Sequence, residues 1–175
     1  MKNLLIIPSA LFPYVVIALL CAVFGATYIT DTVPALDNSY YMLFILLILA
    51  FAILISLVTS IGLTVFTVCG KANPLSVAKT VMIAKLVQIP AYIVIFLFCL
   101  IGFSNIFLLA FVVVLAFLDC ITIFMTALPN AAVAFDSARK SKMTKEKAIL
   151  LGILQFVFVA DIIASIVLYK TLKHV

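Results

Sequence analysis

Long apolar stretches alternate with short polar connections along this chain, and five of them are long enough for a helix to cross a bilayer, which takes about 20 residues. They cover residues 4–28, 41–69, 76–103, 106–128 and 148–169. The pattern predicts an all-α fold, a polytopic integral membrane helix bundle of about five transmembrane helices forming one domain. Prolines punctuate it. Pro13 bends the first helix or marks its true start, Pro74 opens the third, Pro90 kinks it, and Pro129 with Asn130 ends the fourth. A polar connection with Asp31, Pro34, Asp37 and Asn38 precedes the second span, a tight turn at Gly102–Asn105 precedes the fourth, and the largest connection is expected at 131–147. The first segment reads as a retained span, because its apolar run exceeds that of a signal peptide and no good small-residue cleavage site follows. A four-span variant without it keeps the later spans in the same orientation.

Composition supports the membrane reading. Of the 175 residues 68% are hydrophobic and 10% charged, against about 45–50% and 25% in soluble domains. A chain of this length cannot enclose so much apolar surface, so that surface faces lipid. Cys21, Cys69, Cys99 and Cys120 show no CxxC spacing and read as small buried hydrophobes, with Cys69 at a membrane edge open to acylation.

The net charge of +5 does not point to nucleic acid, since the basic residues gather in loops between spans. Lys2, Lys71, Lys79, Lys85, Arg139, Lys140, Lys142, Lys145 and Lys147 fall on one side, and Lys170 and Lys173 on the other. The positive-inside rule makes the first side cytoplasmic, with the N-terminus inside and the C-terminus outside. The two terminal lysines fit this topology poorly. Arg139, Lys140, Lys142, Lys145 and Lys147 suit an anionic inner-leaflet surface or a protein partner, and Thr144 and Glu146 suit the start of the fifth helix.

Two carboxylates stand inside apolar spans, Asp119 in the fourth and Asp161 in the fifth. Such residues are costly in hydrocarbon and mark functional sites. Asp119 shares a helix face with Thr122, Thr126 and Asn130, running inward, while Asp161 shares one with Ser165 and Tyr169, running outward. Together these stripes could line a route for protons or a cation. The plainer alternative is that each carboxyl is protonated, or bonded to hydroxyls and backbone, and holds helices together. Ser56, Ser60, Thr64 and Thr67 form a hydroxylated face on the second span, suited to close packing against the Asp119 face, with Ser60 and Thr64 as pocket candidates. Gln88 and Gln155 read as bonds to neighbouring helices. Lys85 is the cation nearest a span and reads as snorkelling to the interface rather than pairing with Asp119.

No HExxH, GxSxG or phosphate-binding glycine loop occurs, and the sole histidine is His174, so no enzyme, metal site or cofactor is expected. No internal repeat of the transporter type is visible. The expectation is a small multi-pass protein of the cell membrane, the lysine-rich composition suiting a bacterial cytoplasmic membrane. It acts as a transporter or the membrane subunit of a transport complex, using Asp119 and Asp161. The alternative is a non-catalytic accessory, regulatory or immunity protein, with a membrane-protein partner or a second copy of itself.

Overall fold

The computed structural model describes residues 5–32, 38–103, 108–157 and 160–174, and these form six helices. They are α1 (Ile7–Thr32), α2 (Asn38–Val68), α3 (Pro74–Phe103), α4 (Leu109–Arg139), α5 (Lys145–Leu154) and α6 (Ala160–Lys173). The fold is all-helical, and α2, α3 and α4 are each long and apolar enough to cross a membrane. Residues 33–37 of the expected connection and 104–105 of the expected turn lie outside the described residues, while Asp31 belongs to α1, Asn38 opens α2, and Gly102 and Phe103 close α3. Leu43, Phe44, Leu47, Phe51 and Leu54 of α2 are exposed, whereas Ser9, Ser56, Ser60, Lys85, Gln88 and Asn130 are buried. That distribution reverses the one expected in water and suits hydrocarbon.

Local signals set the join between α2 and α3. Gly70 adopts φ +69°, Gly70 N–H donates to Thr67 O and Lys71 N–H to Phe66 O, both at 3.0 Å, which is a Schellman ending. Asn73 Oδ1 then accepts from Leu75 N–H at 3.1 Å and Pro74 opens α3.

The prolines do not end helices. Pro13, Pro90 and Pro129 all lie inside continuous helices. The expected end of the fourth span at Pro129–Asn130 is therefore corrected: α4 continues to Arg139, and most of the expected 131–147 connection is helical. A proline cannot donate to the carbonyl four residues earlier, so each leaves an orphaned acceptor. For Pro129 that acceptor is Met125 O, and the Ser60 hydroxyl of α2 donates to it. For Pro13 it is Ser9 O, and Gln88 Nε2 of α3 donates to it at 2.8 Å. Side chains on neighbouring helices thus make good the two lost backbone bonds, and α4 persists through its proline.

The expected single span at 148–169 is also corrected. It is two helices, α5 of 10 residues and α6 of 14. At 1.5 Å per residue these are about 15 and 21 Å long, each short of an apolar layer of about 30 Å. One apolar cluster joins Ile6 before α1, Leu63 late in α2, Val77 early in α3, Val133 late in α4, and Ala148, Leu151, Leu168 and Leu172 of the two short helices. The second cluster, with Phe12, Val16, Leu20, Ile95 and Leu115, holds no described residue of α5 or α6. Asp161 at the start of α6 meets Lys85 in the middle of α3. From that point α6 returns toward the beginning of α3, so α5 and α6 make a hairpin that reaches about halfway through the bundle. Lys170 and Lys173 then lie at the same end as Lys71, Lys79 and the 139–147 group, and the misfit of the terminal lysines disappears. Packing supports the path: a Cβ on Gly152 would sit 3.5 Å from the Phe135 ring, and the Phe124 and Phe156 rings are 5.9 Å apart.

Two outcomes follow. Ser60→Ala should cost about 1–3 kcal/mol by orphaning the Met125 carbonyl, but far less in a Pro129→Ala background, where the backbone N–H returns. Unfolding of the four proteins in mixed micelles reads this, and an equal penalty in both backgrounds would break the link. In a variant lacking native cysteines, Lys142→Cys and Lys173→Cys should react alike with an impermeant maleimide added to intact cells. Opposite labelling would require a straight fifth span.

Candidate functional site

The interrupted segment concentrates polar side chains that the helices would otherwise hold apart. Gln155 caps the end of α5, Asp161 occupies the first turn of α6 and Ser165 the next turn. Lys85 comes from mid-α3 and Asn130 from α4 just past its proline. All five are buried, Lys85 fully and Asp161 to 3% exposure.

Lys85 Nζ lies 3.0 Å from Asp161 Oδ2 and donates to Gln155 Oε1 at 2.7 Å. Asn130 Nδ2 donates to Ser165 Oγ at 2.8 Å and to Gln155 Oε1 at 3.2 Å. The Ser165 hydroxyl has one proton to give, either to Asp161 O at 2.7 Å or to Gln155 Oε1 at 3.0 Å. Two atoms are left over. Gln155 Nε2 and Asn130 Oδ1 are buried with no hydrogen-bond partner, an unspent donor and an unspent acceptor beside an ion pair. The negative charge of Asp161 at the start of α6, and Lys170 and Lys173 in its last turn, both suit the helix dipole.

A cleft of about 410 Å³ opens beyond the hairpin tip, in the half of the bundle that α5 and α6 do not reach. Ile89, Tyr92, Ile93 and Phe96 of α3 form one wall and Ile123 of α4 another, with Asp161 and Ile162 at the tip. Tyr92 is within electrostatic reach of both Asp161 and Asp119.

The expected residues separate into three groups. Asp161 and Ser165 sit in the cluster. Asp119 stands apart from it, half-buried, with Oδ1 unpartnered. No hydrogen bond joins the two carboxylates among the described residues. The hydroxyls of the expected stripes turn back on their own helices: Thr122 donates to Leu118 O at 2.9 Å, Thr126 to Ile123 O at 3.1 Å and Thr64 to Ser60 O at 2.9 Å. Ser60 serves the Met125 carbonyl instead of facing Asp119. Of the basic group, Lys140 is paired with Asp136 at 2.6 Å, while Arg139, Lys142, Lys145 and Lys147 are exposed. Thr144 takes the N-cap position of α5 but its side chain makes no capping bond.

Lys85 is the main correction: it is inside, paired with Asp161, and does not reach an interface. Gln155 and Asn130 join it as members that spacing alone did not bring together. A usable signal lies in the sequence, because Gln155 and Asp161 are six residues apart, about 120° around a continuous helix, which is too far to share one face. The intervening Phe-Val-Phe-Val run is also a poor helix former. Among the described residues no three His, Cys, Asp or Glu side chains gather as metal ligands. No family model, curated protein or solved structure matches the chain.

Removing one partner of a buried pair costs about 3–5 kcal/mol, because the other charge is left alone. Lys85→Met should therefore be strongly destabilising, and adding Asp161→Leu should restore part of the loss. Additive losses in unfolding measurements would show that the two side chains do not interact.

Proposed function

We propose that this chain is a small carrier of the cell membrane, or the membrane subunit of one, in which the Lys85–Asp161 centre binds a cationic cargo in exchange for a proton. The observation that carries the reading is the ion pair itself, buried from both ends of the bundle at the tip of a half-depth hairpin. A charge in such a place is expensive, and broken helices at membrane depth are tolerated where they line a site.

Charge balance supplies the mechanism. One carboxylate neutralises one cation, so a second cation at Asp161 requires Lys85 to give up its proton. Lysine is suited to this, because its ammonium deprotonates readily when buried. When cargo leaves, Lys85 takes the proton back and closes on Asp161. The centre carries the same net charge in both states, which is the condition for obligatory exchange. Gln155 Oε1 keeps hold of Lys85 Nζ throughout, while Gln155 Nε2 and Asn130 Oδ1 offer the cargo a donor and an acceptor.

The basic end, with the 139–147 group and Lys170 and Lys173, is placed in the cytoplasm against anionic lipid, with the N-terminus inside. The C-terminus is inside as well. A bacterial cytoplasmic membrane suits this distribution.

Liposomes containing the purified protein and a lumenal pH dye test the proposal with gradients of sodium, potassium, ammonium and quaternary ammonium salts. At least one gradient should drive proton movement several-fold faster than in empty vesicles. Asp161→Asn should abolish it. Lys85→Arg should preserve the fold but also abolish it, since an arginine keeps its proton. Proton movement absent with every salt, or intact in Lys85→Arg, would overturn the proposal.

A further inference from the structure

The last apolar segment reverses where its own sequence calls for no reversal. From Gln155 to Asp161 the chain reads Gln-Phe-Val-Phe-Val-Ala-Asp, without the glycine, proline, asparagine or serine that sets a turn. The Phe-Val-Phe-Val run lets a helix fray, but it does not direct a chain back on itself. As one helix, the apolar run 148–169 is long enough to cross a bilayer. What joins the two arms comes from outside the hairpin. Lys85 Nζ of α3 donates to Gln155 Oε1, at the end of α5, at 2.7 Å and lies 3.0 Å from Asp161 Oδ2, in the first turn of α6. Asn130 Nδ2 of α4 donates to Gln155 Oε1 at 3.2 Å and to Ser165 Oγ of α6 at 2.8 Å. Each of these side chains bonds both arms at once, and all five groups are buried.

We infer that Lys85 and Asn130 form a two-point clamp that imposes the half-depth hairpin on a segment otherwise able to cross the membrane. The side on which Lys170 and Lys173 lie is then decided by buried polar bonds and not by a turn. The exchange reading plays no part in this inference. On a continuous helix Gln155 and Asp161 are separated by about 120° around the axis and about 9 Å along it, too far for one ammonium to hold both. Straightening the segment therefore strips Lys85 of an acceptor inside hydrocarbon, where a poorly paired charge is costly. It also carries Lys170 and Lys173 away from the other basic residues, which the positive-inside rule resists. The clamp and these lysines act in the same direction, and an experiment has to separate them.

Labelling of intact and lysed cells with an impermeant maleimide does so, in a protein without native cysteines that carries Lys170→Ser and one reporter, Lys142→Cys or Lys173→Cys. With the clamp in place the two reporters should label alike, although both terminal lysines are gone. Lys85→Met, Asn130→Leu, Gln155→Leu and Asp161→Leu together replace the clamp as a unit, so that no charge or amide of the cluster is left alone. In intact cells the two reporters should then differ at least fivefold. Adding Phe156→Asn and Val157→Gly to the clampless protein supplies the missing turn signal and should make them alike again. Equal labelling in the clampless protein would overturn the inference, as would unequal labelling with the clamp present. A difference that persists after the turn is added would trace the change to misinsertion and overturn it too. If the clampless protein does not accumulate, recovery of its turn-bearing version with the reporters alike supports the clamp, and loss of both versions counts against it.

Discussion

A peptide carbonyl released inside hydrocarbon has no water to turn to, and this constraint shapes every irregular feature of the bundle. Pro13 and Pro129 each release one such carbonyl, and each is answered from another helix, by Gln88 Nε2 and by the Ser60 hydroxyl. The same bonds fix helix positions. The Ser60 bond sets α2 against α4 at Met125, and the Gln88 bond sets α3 against α1 at Ser9. Beside Pro90, the Tyr14 hydroxyl donates to Val87 O and ties α1 to α3 a second time. In a medium where apolar surfaces gain little by meeting one another, such bonds and close packing specify the arrangement.

The hairpin tip obeys the same rule. Phe156 N–H donates to Ile153 O at 3.0 Å, Val157 N–H to Leu154 O at 3.3 Å and Asp161 N–H to Val157 O at 2.9 Å, so the described backbone bends while staying bonded. Breaking the helix there turns Gln155, Asp161 and Ser165 toward Lys85 and Asn130. A continuous helix sets residues six apart about 120° from one another, so Gln155 and Asp161 would not share a face. The ion pair and the break therefore depend on one another. Lys85 is held inside by Asp161 and Gln155, and those two converge because the chain reverses between them.

Hydropathy is a good guide to α2, α3 and the start of α4, because lipid-facing surface is a property of whole stretches. It was a poor guide to the fifth segment. A run from Ala148 to Tyr169 is apolar whether it crosses once or enters and returns, and only the separate faces of Gln155 and Asp161 on a continuous helix distinguish the two. Helical spacing correctly grouped Asp161 with Ser165, which lie on one short helix. It overvalued Thr122, Thr126 and Thr64, since a hydroxyl inside a helix can return its proton to a carbonyl three or four residues back. Lys85 escapes local pattern for a different reason. Whether a lysine snorkels or turns inward depends on a partner 76 positions away in sequence, and no local pattern records Asp161 meeting it. Beside Pro129, Asn130 has the pattern of a helix end, yet the rescue of Met125 by Ser60 lets the helix run on and carries Asn130 into the cluster.

The half-depth hairpin also makes the two ends of the bundle unequal. At the basic end α5 and α6 fill the interior with Ala148, Leu151, Leu168 and Leu172, packed against α3 and α4. Beyond the tip the same space is the open cleft. α3 carries both sides of that boundary, with Lys85 below Pro90 and the cleft residues Tyr92, Ile93 and Phe96 above it. A proline lacks the N–H that would tie it to Leu86 O, so α3 is weakest between the ion pair and the cleft.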